Sequence, residues 1–164
     1  MDPEPTFLSF LLLQSLDIWL LISIVSLFLL LILSALISGA EVAFFSLSKK
    51  VVNEAAESNS DKEKIVANLL EDPKKLLATI LISNNFINIL IVLIFAYIGK
   101  SIFSGITPLI LKFLIEVVLV TFLILLFGEV LPKIYASRNS LKFATIMAIP
   151  LRILSTLLSI VSYP

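Results

Sequence analysis

Three features of the sequence predict an all-α integral membrane protein with three spanning helices. Apolar residues dominate, several apolar stretches are long enough to cross a bilayer, and basic residues are confined to alternate connections. Of the 164 residues, 59% are apolar and 15% charged, and the mean hydropathy is +1.11. A soluble domain is nearer half apolar with a quarter charged. The 12 basic and 12 acidic residues balance, so no basic field for nucleic acid exists. The chain has no Cys and no His, which excludes disulfides, thiolate or imidazole metal sites and Cys/His catalysis. Any metal must be held by oxygen, which favours hard cations such as Mg²⁺. No nucleophile–base pair can be named, so no enzyme is expected.

Residues 1–16 begin with MDPEP and carry no basic residue before their apolar part, which argues against a secretory signal. Residues 7–13 are too short to span, and are expected to rest at the interface or extend the next helix. Asp17 separates them from residues 18–37, IWLLISIVSLFLLLILSALI, the first expected span (about 18–38), with Trp19 suited to the headgroup level. That span runs into Ser38, Gly39, Ala40 and Glu41. On a helix, Ser34, Ser38 and Glu41 share an arc of roughly 60°. Gly39 lets the backbone loosen or another helix approach closely. Alone, Glu41 reads most simply as a carboxylate reaching back to water.

Residues 42–75 change character, with six lysines and six acids. Lys50 and Glu54 stand at a helical spacing, and Ser58, Asn59 and Ser60 suggest a turn. A helix–turn–helix outside the bilayer, forming a solvated cytoplasmic belt, is expected. Asp72 and Pro73 then open a helix as N-cap and first position.

Residues 76–98, LLATILISNNFINILIVLIFAYI, form the second expected span and carry the most informative polar residues. About 20 apolar residues cross the hydrocarbon core, where no water satisfies stray amides. Asn84, Asn85 and Asn88 nevertheless fall within one arc of roughly 100° near its middle. The third span is expected at about 108–128, with Lys112 and Glu116 one turn apart near its start, paired or reaching the outer interface. It ends in Gly128, Glu129, Val130, Leu131, Pro132 and Lys133. Residues 141–163 are apolar but interrupted by Lys142, Pro150 and Arg152. Only 11 residues follow Arg152 in that stretch, so a juxtamembrane interfacial helix is expected over a fourth span.

No basic residue precedes Lys49; six lie in 42–75, two in 99–112 and four after Phe127. The positive-inside rule puts the amino terminus outside and both strongly basic regions in the cytoplasm. Three spans satisfy this count. The polar residues then meet at one depth only if the helices break near Gly39, Gly128 and Pro132, a general pointer to a transporter site. Asn carbonyls, Ser hydroxyls, unwound backbone carbonyls and one carboxylate suit a hard cation. Asn and Ser also hold membrane helices together by hydrogen bonds, and the residue types alone fit both readings.

The segments SGAEVAFFSLS (residues 38–48), SNNFINI (83–89) and FGEVLPKIYASRN (127–139) resemble the transmembrane domain of the CorC / cyclin M (CNNM) family. That family includes hemolysin-C-like proteins and the gliding-motility protein GldE, and the GldE-like branch is the most similar. The resemblance covers essentially the whole chain, and three motifs in order make it specific. It implies a homodimer in the bacterial inner membrane, each copy with three spans and a juxtamembrane helix. It implies Mg²⁺ efflux coupled to Na⁺, with cytosolic CBS and CorC-type domains expected beyond Pro164. It also implies an ion site matching Ser38, Asn84, Asn88 and the Gly128 carbonyl, with Glu129 as the acidic neighbour and Asn85 and Glu41 as second choices. Ser83 departs from the pattern, since relatives commonly carry Gly there. Two other functions stay open: an interaction protein supporting gliding or secretion machinery, and a polyamine exporter, whose ammonium substrate carboxylates and carbonyls would also suit.

The topology is checked by placing single cysteines at Ser60, Ser104 and Ser140. Labelling from outside is expected at Ser104 alone; outside labelling at Ser60 would reverse the orientation.

Overall fold

The computed structural model describes residues 7–106 and 108–162. Residues 1–6, part of the stretch read as lacking a signal, and Tyr163, at the end of the expected juxtamembrane helix, lie outside them. The described residues are helical apart from short turns. In order they form α1 (Phe7–Phe45), α2 (Lys49–Glu57), α3 (Asp61–Glu71), α4 (Pro73–Ile102), α5 (Leu109–Leu123), a π-helical segment (Ile124–Val130), α6 (Leu131–Arg138) and α7 (Ser140–Ser162).

Residues 7–13 extend α1, which continues unbroken past Gly39 to Phe45. The expected break is absent there, because neither Ser38 nor Glu41 competes with the helix and Gly39 serves a different purpose. A methyl group at Gly39 would lie 2.6 Å from the ring of Phe143. The glycine therefore lets α7 press against α1, the second of the two roles its position allowed. Ser48 caps α2, accepting the Val51 N–H, and a turn at 58–60 leads into α3. Asp72 Oδ1 accepts the Lys75 N–H at 3.1 Å, with Pro73 in the first turn of α4. This satisfies a donor that a helix start leaves orphaned.

The helix α5, the π-helical segment and α6 run on as one rod from Leu109 to Arg138. Here too the chain does not unwind, but its winding changes, and Leu131 N–H bonds the Leu126 carbonyl five residues back. Pro132 supplies the reason. It has no N–H to offer the carbonyl four residues earlier, that of Gly128, and its ring crowds that oxygen. A looser turn relieves the crowding.

Packing occurs in two apolar layers. Leu27, Leu31, Ile91, Phe95, Ile98 and Val120 form one, toward the α4–α5 connection. Ile37, Ala40, Phe44, Leu76 and Ile80 belong to the other, toward α2 and α3. Ser34 lies between the two layers on α1, as do Asn84 and Asn88 on α4. Lipid tails are as apolar as these side chains, so close packing and hydrogen bonds, more than the hydrophobic effect, hold such helices together.

Four helical stretches are long and apolar enough to cross a membrane: Ile18–Phe45, Pro73–Ile102, Leu109–Arg138 and Ser140–Ser159. The fourth was expected to be interfacial because of Lys142, Pro150 and Arg152, but all three lie on its exposed side. Its other face, with Phe143, Ala144, Met147, Ala148 and Leu151, is buried in the layer toward α2 and α3. From Phe143 to Ser155 the helix advances about 18 Å. Phe143 meets Gly39 on α1, and Ser155 lines a cavity with Lys75 and Thr79 on α4. Both partners sit at the same end of their helices, and no α7 residue enters the other layer among the described residues.

Candidate functional site

Between the two apolar layers, α1 and α4 bring hydroxyl and amide groups together. Ser34 is fully buried, and its Oγ lies 2.9 Å from Asn88 Oδ1 and 3.2 Å from Asn84 Oδ1. Asn84 and Asn88 are one turn apart on α4, so both amides reach the same point on α1. A serine hydroxyl has one proton. It donates fully to one amide oxygen at a time.

The third rod closes the cluster. A methyl group at Gly128 would lie 2.9 Å from Ser34 Oγ, so the π-helical backbone rests directly on that serine. Only glycine permits this approach. The Gly128 carbonyl is the one that Pro132 deprives of an α-helical donor. One turn beyond Ser34 on α1, Ser38 is fully buried, and its hydroxyl has no hydrogen-bond partner among the described residues. The same holds for Ser83 on α4.

Three further candidates make no hydrogen bond within this cluster among the described residues. Asn85 is exposed, and with Asn88, Ile89, Val92 and Leu93 it lines a shallow groove of about 380 Å³ on the outer face of α4. Glu41 is engaged elsewhere: its Oε2 lies 3.1 Å from Lys133 Nζ, tying α1 to α6. It stands seven residues past Ser34, about 10 Å along the helix. Glu129 follows Gly128 in the π-helical segment, is half-buried, and joins no ion pair among the described residues. No group of three or more Asp or Glu that could hold a metal occurs among the described residues. An ion here would be met mainly by neutral oxygens.

Ser34 is the residue that sequence reasoning left out of the ligand set. Its signal was present, since it shares a face with Ser38 and Glu41, and it is the α1 hydroxyl that bonds the two amides. Ser38, one turn later on the unbroken α1, makes no hydrogen bond to the amides among the described residues. The serine one turn earlier occupies their level instead.

The model of the cyclin M transmembrane N-terminal domain matches residues 24–164. The chain belongs to this family. A UPF0053 protein of Haemophilus influenzae is 35% identical over 114 residues, 68% of this chain and 26% of that protein. The UPF0053 inner membrane protein YfjD of Escherichia coli is 31% identical over 127 residues, 74% of this chain and 28% of its own length. The chain thus spans about a quarter of the length of these relatives. It is a multi-pass membrane protein, and its cyclin M domain carries the polar layer described above.

The contact between Gly128 and Ser34 is tested by a double-mutant cycle. Gly128→Ala alone is expected to cost roughly 1–3 kcal/mol, as overpacking does. Ser34→Ala removes the oxygen in the way, so the double variant should melt higher than additivity allows. Strict additivity would mean that the two groups do not touch.

Proposed function

We propose that this cyclin M domain conducts Mg²⁺ across the bacterial inner membrane, as efflux coupled to Na⁺, through the polar layer centred on Ser34. The observation that carries this reading is the convergence of Ser34 Oγ, Asn84 Oδ1 and Asn88 Oδ1 beside Gly128, half-buried between two apolar layers. Mg²⁺ prefers six oxygens at about 2.0–2.1 Å, and neighbouring corners of such an octahedron are about 2.9 Å apart. The two measured spacings from Ser34, 2.9 and 3.2 Å, are close to that edge. The Gly128 carbonyl adds a further neutral donor, and retained waters fill the remaining positions, since Mg²⁺ dehydrates reluctantly. Glu129 supplies negative charge next to the site. Ser38, buried without a partner, offers the next oxygen along α1.

The same spacing is that of an ordinary hydrogen bond. The competing reading is therefore that Ser34 and the asparagines only fasten α1 to α4.

Three spans with an external amino terminus and a cytoplasmic carboxyl end accompany this reading. The positive-inside count supports the orientation. The packing of α7 across the ends of α1 and α4, absent from the other apolar layer, supports a juxtamembrane helix over a fourth span. Two copies of the chain would give the outward-facing Asn85 a polar partner, and a dimer mass in lipid is the expected result.

Asn88→Leu and Glu129→Gln separate the readings, measured by Mg²⁺-dependent melting and by Mg²⁺ flux in proteoliposomes. Asn88→Leu should leave the ion-free fold intact while flux falls at least tenfold and the Mg²⁺-induced rise in Tm disappears. Glu129→Gln should weaken Mg²⁺ binding by about tenfold, or about 1.4 kcal/mol, with geometry preserved. If Asn88→Leu lowers the ion-free Tm and no ion dependence existed in the parent, the fastening reading holds.

A further inference from the structure

Where the start of α4 meets the second half of α7, a cavity of about 630 Å³ opens at the boundary of the apolar region. Lys74, Lys75, Thr79, Ser155 and Ser159 line its polar side together with the single carboxylate of Asp72, and Ile82 and Leu158 its apolar side. A smaller cavity of about 230 Å³ shares Asp72, Lys75 and Ser155 with it and reaches Glu71 at the end of α3.

Three independent features describe the ligand. The cations are uncommitted: ion pairs among the described residues engage Lys50, Lys112 and Lys133, but neither Lys74 nor Lys75. Of the two acids nearby, Asp72 turns Oδ1 to the Lys75 backbone N–H, and Glu71 lines only the smaller cavity. A buried hydroxyl faces the space. Ser155 is 7% exposed, lines both cavities, and makes no hydrogen bond among the described residues. Thr145, Thr156 and Ser159 on the same helix each return their hydroxyls to a backbone carbonyl of α7, so Ser155 is the exception. The cavity is also graded. From Lys75 to Ile82 the lining passes from cationic to apolar over about 10 Å.

A soluble anion would use the rim and leave the apolar wall wet. An amphiphile uses both. We infer that this cavity binds the phosphodiester headgroup of an anionic phospholipid. Lys74 and Lys75 face the phosphate, Ser155 donates a hydrogen bond to it, and the acyl chains run along Ile82 and Leu158. Basic pockets between membrane helices recognise acidic headgroups in this way. The bound lipid would join α4 to α7, the helix that also presses on α1 at Gly39. The inference does not depend on which ion the polar layer holds.

The test is lipid binding to the full chain in mild detergent, followed by native mass spectrometry and by melting. The probes are phosphatidylglycerol and phosphatidylcholine with the same acyl chains. The parent should retain phosphatidylglycerol in preference. Lys74→Gln with Lys75→Gln should weaken that binding roughly 30-fold, at about a kilocalorie per lysine, without altering phosphatidylcholine binding. Ser155→Ala should weaken it about fivefold, as loss of one hydrogen bond does. Lys49→Gln with Lys50→Gln, an equal loss of charge on α2, should leave it at the parent value. Equal affinity for the two lipids, an equal loss in the α2 control, or equal protection by inorganic phosphate would each overturn the proposal.

Discussion

One serine proton stands between two amide oxygens at the centre of this helix bundle, and much of the structure can be understood from the need to keep it there. In hydrocarbon no water replaces a lost hydrogen bond, so Asn84 and Asn88 need a partner supplied by the protein. Ser34 is that partner. To serve both amides it must lie at their depth, which sets the register of α1 against α4. Gly128 must also lack a side chain for the third rod to close over it. Apolar layers on either side, around Leu31 and Ile91 and around Ile37 and Ile80, keep water from competing. A neutral pocket lined by hydroxyl and amide oxygens is also a place where a hard cation can exchange part of its hydration shell for protein oxygen.

Much of this was legible in the sequence, for identifiable reasons. The span at 76–98 lies within α4 (Pro73–Ile102), because its apolar length, the Asp72 cap and Pro73 all act locally. That asparagines 84 and 88 share a face follows from helical periodicity alone. Asn85 stands at the edge of their arc and is exposed, and periodicity does not say which part of an arc faces the neighbouring helix. That Ser34 bonds the amides was not legible because depth depends on whether α1 breaks at Gly39, and a glycine permits a break without requiring one. Phe143, more than a hundred residues away, fills the space a side chain at Gly39 would need, and α1 continues unbroken past it. Pro132 marked the third rod as irregular, but whether it unwinds or widens to a π-helical turn depends on what it packs against.

The helix α7 shows a similar division between local and distant information. Lys142, Pro150 and Arg152 look disqualifying for a membrane segment when read in a row. On the helix they occupy the exposed side, opposite a continuous buried face from Phe143 to Leu151. Length and composition admit a span, while the contacts run across the ends of α1 and α4. A helix placed this way braces the two rods that carry the serine and the asparagines. The ion pair between Glu41 and Lys133 ties the third rod to the same end. Being part-exposed, that pair contributes at most about 1 kcal/mol. Its value is in fixing geometry beneath the polar layer more than in stability.

The central claim is that oxygens of α1, α4 and the π-helical segment jointly meet an ion. Backbone hydrogen exchange of the full chain in lipid, with and without Mg²⁺, tests it most directly, because it reports position as well as binding. The account predicts Mg²⁺-dependent protection concentrated at residues 83–88 and 126–130, lost in Ser34→Ala. Protection confined to the acidic stretch of α2 and α3, or no change at residues 83–88 on adding Mg²⁺, would contradict it.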